Sequence, residues 1–402
     1  MLLESRIEKT IAKTVAALRE RADVPLAIEL WNGRRYELGG NPSVTFRVAD
    51  AQALRRISNP DFASLGEAYV EGDLELEGPI EEALRAVEAL AKAWGAKGRG
   101  RLPRLSAHNR KTDSEAIRYH YDVSNDFYRL WLDERMVYSC AYFRTGAEDI
   151  HTAQEQKLDH ICRKLRLAPG ERFLDIGCGW GALVMHAAQK YGVRATGITL
   201  SENQHAYASA QIGAAGLQDR CQVLLRDYRD MTGEFDKIAS VGMFEHVGLK
   251  NLPVYFGTLH RLLADGGIVM NHGITSVDLE SREVGLGAGE FIEKYVFPDG
   301  ELPHVSLVLK EVAGAGLEAM DVETLRLHYA RTLAHWSRRL EENLESAQAH
   351  AGRKRARIWR LYLAGCAHAF ARNWISIHQV LAVKSANPAR NPLPWTREYM
   401  YR

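Results

Sequence analysis

Short apolar runs recur along the C-terminal two thirds of the chain, and longer stretches with helical periodicity separate them. Apolar runs of this length, bounded by turn residues, are typical of strands that are buried on both faces. Strands that alternate with helices predict an α/β domain with a mostly parallel, doubly wound sheet. The predicted strands are residues 172–176, 194–200, 222–225, 237–242, 268–274, 318–324 and 375–383.

The N-terminal part follows a different pattern. Residues 1–21 have amphipathic helical spacing, and the turn signal Asn32-Gly33 separates two short predicted strands at 25–30 and 35–38. We therefore predict a small α+β domain at 1–91, a linker at 92–113 and a catalytic domain at 114–402.

The linker contains Gly, Pro and seven basic residues but no acid between positions 92 and 111. This composition is typical of a solvated tether. A second interpretation is electrostatic contact with anionic lipid headgroups, because each Lys or Arg near such a surface contributes about 1 kcal/mol.

Composition narrows the classes of function. The 402 residues are 46% hydrophobic and 26% charged, which is ordinary for a globular protein, and the net charge of +1 gives no general attraction to nucleic acid. No apolar run is long enough to span a bilayer, and the N-terminal segment has acids and no cleavage site, so we expect no signal peptide. Five scattered cysteines without a CxxC pair argue against disulfides and a metal site and favour the cytoplasm.

The clearest signal is a glycine-rich loop after the first predicted catalytic-domain strand. Phe173 opens a strand that ends at Asp175, and Gly177, Gly179 and Gly181 follow at alternate positions before a predicted helix. Glycines here allow a tight turn and the close approach of a ligand. The spacing differs from the GxGxxG of dinucleotide enzymes and matches the first motif of class I methyltransferases, which bind S-adenosylmethionine. Turns also need glycine, but the strand before and helix after favour the cofactor.

The second predicted strand ends without the acid that commonly holds the ribose hydroxyls. Thr199 and Gln204 are polar residues at this strand end and offer hydrogen bonds instead. Ser201 lies between them and is typical of a helix N-cap, a structural task that is compatible with a ligand nearby.

Five motifs in order resemble those of the cyclopropane fatty acid synthases and mycolic acid cyclopropane synthases. They are YHYDVSNDFY (119–128), YSCAYF (138–143), LDIGCGWG (174–181), GITLSENQ (197–204) and VGMFEHVG (241–248). The resemblance covers about residues 114–384. It implies a class I S-adenosylmethionine-dependent methyltransferase with a Rossmann-like, seven-stranded, mostly parallel sheet. The small N-terminal domain resembles that of the bacterial branch that acts on phospholipids.

The resemblance also implies a cofactor site. Its residues here are Tyr138, Ser139, Phe173, Asp175, Gly177, Gly179, Gly181, Thr199, Ser201, Gln204, Tyr228 and Arg229. The mycolic branch has Trp-Glu where this chain has Tyr228-Arg229, so the adenine contact departs from that pattern.

Family members hold a bicarbonate ion beside the sulfonium, and the resemblance implies its ligands. They are Cys140, Glu245, His272, the backbone of Ile274, and Tyr329. A bound bicarbonate agrees with the expected chemistry. Methylation of the alkene leaves a carbocation, and closing the ring then needs a base that removes a proton from the new methyl group. Tyr295, Phe297 or Trp336 would face that cation.

Each of these residues also has a structural interpretation. Cys140 could be a small buried residue of the core, and His272 a core histidine with its hydrogen bonds satisfied. Tyr329 could simply lie on one face of a helix. Cys366 corresponds to a family cysteine once considered a nucleophile, but its spacing with Leu363 and Phe370 favours core packing.

The sequence therefore predicts methylene transfer from S-adenosylmethionine to the cis double bond of unsaturated phospholipid acyl chains, with bicarbonate as a bound cofactor and no metal. The alternatives are a fatty-acyl methyltransferase that leaves a methyl or methylene branch, a small-molecule methyltransferase, and a catalytically silent lipid carrier. By resemblance we expect a homodimer at the inner face of the membrane.

Overall fold

The computed structural model describes residues 2–56, 61–95, 124–280, 285–297, 300–385 and 393–401. Most of the predicted linker and the first five residues of the 119–128 motif lie outside these ranges. The chain forms two compact units. The first comprises Met1–Pro103, Arg282–Pro298 and Leu340–Ala369, and the second comprises Arg104–Ser281, Asp299–Arg339 and Phe370–Arg402.

The first unit contains a four-stranded sheet in the order β2-β1-β3-β4. Strand β1 pairs antiparallel with β2 and parallel with β3, which confirms the hairpin predicted around Asn32-Gly33. The strands are β1 (Leu26–Glu29), β2 (Arg35–Glu37), β3 (Val44–Val48) and β4 (Leu74–Glu77). The N-terminal helices are α1 (Leu2–Arg21), α2 (Ala51–Arg56), α3 (Phe62–Glu71) and α4 (Ile80–Trp94).

Helices from much later in the chain pack on these N-terminal elements within the first unit. Arg357 donates to the carbonyl oxygen of Tyr69 at 2.6 Å, and its guanidinium lies 4.8 Å from the centre of that tyrosine ring. Lys294 forms an ion pair with Glu67 of α3. Parts of the range predicted as the catalytic domain thus belong to the same compact unit as the N-terminal elements.

The second unit contains the predicted α/β sheet of seven strands, in the order β10-β11-β9-β8-β5-β6-β7. All neighbours are parallel except at β11, which runs antiparallel to both β9 and β10. The strands are β5 (Arg172–Ile176), β6 (Arg194–Thr199), β7 (Cys221–Leu225), β8 (Phe235–Val241), β9 (Leu263–Ser276), β10 (Glu318–Thr324) and β11 (Ile375–Val383). Each predicted strand is present, with β9 extended at both ends.

The remaining helices connect and cover these strands or belong to the first unit. They are α5 (Asn125–Arg129), α6 (Ile150–Lys164), α7 (Ala182–Tyr191), α8 (Glu202–Ala214), α9 (Leu252–Leu262), α10 (Ala288–Tyr295), α11 (Val305–Gly314), α12 (Arg326–Glu342), α13 (Leu344–Ala351) and α14 (Arg353–Ala371).

Successive side chains of the central strands enter different hydrophobic clusters. Phe173 and Ile268 belong to one cluster, whereas Leu174 and Val269 belong to the other. Alternation along a strand sends neighbours to opposite faces, so both faces of the sheet are buried.

The order of the strands also locates the site. The sheet is built outward from β5, with β6 on one side and β8 on the other. At such a switch point the loops after neighbouring strands diverge and leave a crevice at the carboxyl ends of the strands. Among the described residues, no helix is long and apolar enough to cross a membrane, and no cluster of three metal-ligating side chains occurs.

Candidate active site

The glycine-rich loop turns sharply at the carboxyl end of β5. Gly177, Gly179 and Gly181 have φ angles of 80°, 54° and 87°, in the left-handed region that favours glycine. A Cβ at position 177 would lie 2.8 Å from that of Met243, whereas one at position 179 would meet nothing within 4 Å. Position 179 therefore faces open space in the crevice.

A pocket opens at this loop, and most of the predicted cofactor residues line it. They are Tyr138, Ser139, Asp175, Gly177, Gly179, Thr199, Gln204, Tyr228 and Arg229. The other three have structural positions beside it. Phe173 is fully buried in the core, Gly181 approaches Ala208, and Ser201 caps α8 by accepting from the backbone of Gln204 at 3.3 Å.

The polar groups at the end of β6 are linked to each other. The Thr199 hydroxyl donates to Gln204 Oε1 at 2.8 Å and accepts from the backbone N–H of Ser201 at 3.1 Å. After β7, Arg229 forms a two-pronged pair with Asp227, with N–O distances of 2.9 and 2.7 Å. Asp227, which the motif comparison did not single out, is thus an acid in the pocket wall, paired with Arg229.

Sequence reasoning missed several other residues that line the pocket. They include Met136, Lys157, Met243 and His246. Lys157 had a detectable signal, because it occupies the apolar face of an amphipathic helix with Ile150, Leu158 and Ile161, where a lysine is rarely found.

Glu245 lies in the short turn after β8, and His272 lies within β9, where it pairs with Val241 at the end of β8. Glu245 Oε1 accepts from the backbone N–H of Ile274 at 2.7 Å, while the buried Oε2 has no protein partner. Burial raises the pKa of Glu245 to about 7, against the opposing effect of the Ile274 hydrogen bond. The Ile274 amide is thus committed to Glu245 rather than to an ion.

A glutamine side chain lies against His272. The side-chain nitrogen of Gln379, on the adjacent strand β11, lies 3.0 Å from His272 Nδ1. With the amide in this orientation, Gln379 donates, Nδ1 accepts and the ring proton resides on Nε2. Burial lowers the pKa of His272 to about 3, which keeps the ring neutral. His272 Nε2 and Gln379 Oε1 are both buried without protein partners.

Cys140 and the backbone of Tyr329 meet at Leu325. The Cys140 thiol is fully buried and lies 3.9 Å from the Leu325 carbonyl oxygen, which also accepts from the backbone N–H of Tyr329 at 2.9 Å. The Leu325 amide donates to Ile377 at 3.0 Å, and Ile377 pairs with Ile274. Burial raises the pKa of Cys140 far above its ordinary value, so the thiol stays protonated.

The fifth predicted ligand, Tyr329, packs in an aromatic cluster. Its ring lies edge-on to Trp336 at 6.1 Å and 4.7 Å from Phe370. Trp336 also lies 5.5 Å from Tyr138, which lines the pocket. Of the three rings predicted to face a cation, Trp336 is thus the one in the unit that contains the pocket.

The other two rings and Cys366 belong to the first unit. Tyr295 donates to Glu71 at 3.1 Å, and Phe297 lies 5.8 Å from Tyr362 in a T-shaped contact. Burial raises the pKa of Cys366 to about 12. A protonated thiol is a poor nucleophile, which agrees with the structural role predicted for this cysteine.

Two short segments connect the pocket with predicted ion ligands. Tyr138 and Ser139 line the pocket and precede Cys140, while Met243 and His246 line it on either side of Glu245. Glu245 Oε2, His272 Nε2 and Gln379 Oε1 are buried without protein partners, and a small polar ion can offer both donors and acceptors to such atoms.

Comparisons with known proteins agree with this geometry. The profile of the mycolic acid cyclopropane synthetase family matches residues 108–380, and that of a domain of unknown function matches residues 14–94. A probable fatty acid methyltransferase of Pseudomonas putida is 51% identical over 381 residues, which cover 94% of this chain and 97% of the relative. The cyclopropane-fatty-acyl-phospholipid synthase of Escherichia coli K12 is 33% identical over 367 residues, covering 89% of this chain and 92% of the relative.

Solved structures give the same result. The mycolic acid cyclopropane synthase CmaA1, complexed with SAH and CTAB, superposes with a TM-score of 0.65 at 34% identity, covering 67% of this chain and 98% of that one.

Proposed function

The chain belongs to the mycolic acid cyclopropane synthetase family, as its motifs predicted, and we propose that it transfers a methylene group from S-adenosylmethionine to the cis double bond of unsaturated phospholipid acyl chains. The observation that supports this most strongly is that Glu245 Oε2 and His272 Nε2, which lie after β8 and within its neighbour β9, are both buried without protein partners.

The pocket suits the cofactor in shape and chemistry. The left-handed glycines leave room for close approach, and the polar groups of Thr199, Gln204 and Asp227 suit the hydroxyls of a nucleoside. When bound, S-adenosylmethionine supplies an electrophilic methyl group on a sulfonium. The residues around it exclude water, which would otherwise compete with the weakly nucleophilic alkene.

The buried group suits bicarbonate. Glu245 would accept a hydrogen bond from the ion, while His272, held as the Nε2–H tautomer by Gln379, would donate one. When bound, bicarbonate supplies a base where the carbocation on the acyl chain must lose a proton. Glu245, with its pKa near 7, is also suited to pass that proton onward.

A branched product is the second candidate. The relative of Pseudomonas putida is a probable fatty acid methyltransferase, and it is more similar in sequence than the cyclopropane synthase of Escherichia coli. Loss of a proton from a neighbouring chain carbon would give a methyl-branched alkene. A hydride shift that moves the positive charge to the carbon bearing the new methyl group, followed by loss of a proton from that methyl group, would give a methylene branch. The same pocket and the same ion serve both outcomes.

The decisive experiment incubates the protein with S-adenosylmethionine and vesicles of cis-unsaturated phospholipid. Released fatty esters are then chromatographed against cyclopropane and branched standards, because a ring and a methylene branch have the same mass. Cyclopropane esters are the expected product. Branched esters would establish the second candidate, and unchanged lipid in the presence of bound cofactor would refute both.

We also propose that the enzyme reaches its substrate as a peripheral protein. Basic residues such as Arg99, Arg101 and Arg104 in the linker would attract anionic headgroups, and added salt would weaken that attraction. Vesicle pelleting with and without anionic lipid, at low and high salt, tests this. Equal binding in all four conditions would contradict it.

A further inference from the structure

Lys157 is a buried cation in the wall of the cofactor pocket. Its side chain is 2% exposed, and its ammonium donates to the Ser139 hydroxyl at 2.8 Å. Both residues line the pocket. Burial lowers the pKa of Lys157 to about 8, against the attraction of nearby acids, so the ammonium is charged at neutral pH.

The chain offers two other buried lysines for comparison. Lys164 pairs with Glu323 at 2.6 Å, and Lys237 lies 3.4 Å from Glu171. Lys157 has no carboxylate within 4 Å among the described residues, and its one hydrogen bond is to a neutral hydroxyl. Buried charges are normally paired, so an anion from outside the protein would complete the surroundings of Lys157.

Asp175 presents the opposite charge to the same pocket. It is 2% exposed, and its Oδ1 is buried without a protein partner. Burial raises the pKa of Asp175 to about 7, while the charge of Lys157 works against that rise. Asp175 and Lys157 do not pair directly, since the described residues show no ion pair between them within 4 Å. The pocket wall therefore contains a buried carboxyl group, that of Asp175, and a buried ammonium group, that of Lys157, which form no direct ion pair.

We infer that Lys157 is a further residue of the cofactor site, which holds the carboxylate of the amino-acid end of S-adenosylmethionine together with Ser139, opposite Asp175. This inference rests on the proposed cofactor. Lys157 and Ser139 would donate to the carboxylate, while Asp175 would accept from the ammonium. Thr199, Gln204 and Asp227, at the ends of β6 and β7, remain for the adenosine end. A ligand with both charges satisfies both side chains at once, whereas a neutral nucleoside satisfies neither.

Lys157 is thus a positioning residue. By holding the amino-acid end, it fixes where the sulfonium lies relative to Glu245 and His272. Ser139 connects it directly to Cys140, the next residue of the chain and a predicted bicarbonate ligand.

The test measures binding of three ligands by calorimetry: S-adenosylhomocysteine, its decarboxylated analogue, and methylthioadenosine, which lacks the whole amino-acid end. We expect the wild-type protein to bind S-adenosylhomocysteine about ten- to a hundredfold more tightly than the decarboxylated analogue, the range of a charge-assisted hydrogen bond. In Lys157→Met this preference should disappear, while the affinity for methylthioadenosine stays unchanged.

Two variants provide the controls. Lys237→Met removes a buried ammonium outside the pocket and should keep the wild-type preference. Lys157→Arg restores a cation and should regain part of the preference, which also covers the case in which Lys157→Met fails to fold. Asp175→Asn should weaken both ligands that carry the ammonium but retain the preference for the carboxylate.

The outcomes separate the inference from the proposed function. If the wild-type protein binds none of the three ligands, the proposed cofactor is wrong. If it binds S-adenosylhomocysteine and Lys157→Met or Lys157→Gln retains the full preference over the decarboxylated analogue, the cofactor stands and the role of Lys157 is overturned.

Discussion

The cofactor pocket and the buried polar group lie at the same edge of one sheet, yet they are built in different ways. The glycine loop of the pocket is a continuous stretch, 175–181, whose backbone turns through three left-handed glycines. The buried group consists of side chains from three separate segments, Glu245, His272 and Gln379. A backbone site is sensitive to added atoms, whereas a side-chain site is sensitive to the identity of each polar atom.

The largest expected effect comes from adding atoms to the backbone site. Gly179→Val should abolish binding of S-adenosylhomocysteine without unfolding the protein, because the new side chain would occupy the open space of the pocket. Calorimetry measures binding and circular dichroism measures folding.

Gly216→Val is the matched control. Gly216 also has a left-handed φ, 65°, and open space around an added Cβ, but it does not line the pocket. The two variants should carry similar backbone strain, so only Gly179→Val should lose binding. Retained binding in Gly179→Val would refute the assignment of the loop.

Removing a charge from the side-chain site should slow turnover without affecting the pocket. Glu245→Gln keeps the acceptor for the Ile274 amide but weakens the hold on bicarbonate. A charge-assisted hydrogen bond of about 1.5–3 kcal/mol corresponds to a loss of about ten- to a hundredfold in rate. Affinity for S-adenosylhomocysteine should hardly change.

The assay compares turnover in carbonate-stripped buffer with turnover after bicarbonate is restored. Glu301→Gln serves as the control, because Glu301 likewise accepts from a backbone amide, that of Leu249, at 2.8 Å, and does not line the pocket. Full wild-type activity in stripped buffer would mean that the proton leaves by another route.

The same substitution should change how stability depends on pH. The pKa of Glu245 rises from 4.5 to about 7 on folding, so the folded state binds more protons between these values and stability falls as pH rises through this window. Glu245→Gln removes this cost. Its free energy of unfolding, relative to wild type, should therefore increase from pH 4.5 to pH 8, by at most about 3 kcal/mol.

Urea unfolding at the two pH values, monitored by fluorescence, measures this difference. Asp175 titrates in the same range and remains in both proteins, so the comparison isolates Glu245. A difference that is constant between pH 4.5 and pH 8 would show that the carboxylate is solvated in the folded protein.

The smallest effect concerns Gln379. Gln379→Leu removes the donor that fixes the tautomer of His272, so part of the protein would present a bare Nε2 to the ion. Loss of a neutral hydrogen bond should reduce turnover about two- to tenfold and raise the bicarbonate concentration needed for half-maximal rate.

Gln379→Glu sharpens this test. A carboxylate requires a proton on Nδ1 and would reverse the tautomer, so this variant should need more bicarbonate than Gln379→Leu. Gln222→Leu, an exposed amide on β7, is the control. An unchanged bicarbonate requirement in both Gln379 variants would exclude a positioning role.

Local sequence determined the parts of the molecule that depend on neighbouring residues. The seven strands, the hairpin at Asn32-Gly33 and the cap at Ser201 are present as predicted, since apolar runs, turn residues and caps act over a few positions. The glycine loop was predictable for the same reason, and family resemblance extended the prediction to Glu245 and His272.

Only the tertiary structure decided which distant polar groups meet. Gln379 lies 107 residues from His272 and reads in the sequence as one polar residue within an apolar strand. In the sequence, Lys157 is only a lysine on the apolar face of a helix. Its place in the pocket wall is shown by the structure, where its ammonium donates to Ser139. Periodicity encodes which face of an element is buried. Which buried polar atoms keep or lack a partner depends on contacts between elements that are far apart in sequence, and those contacts exist only once the chain has folded.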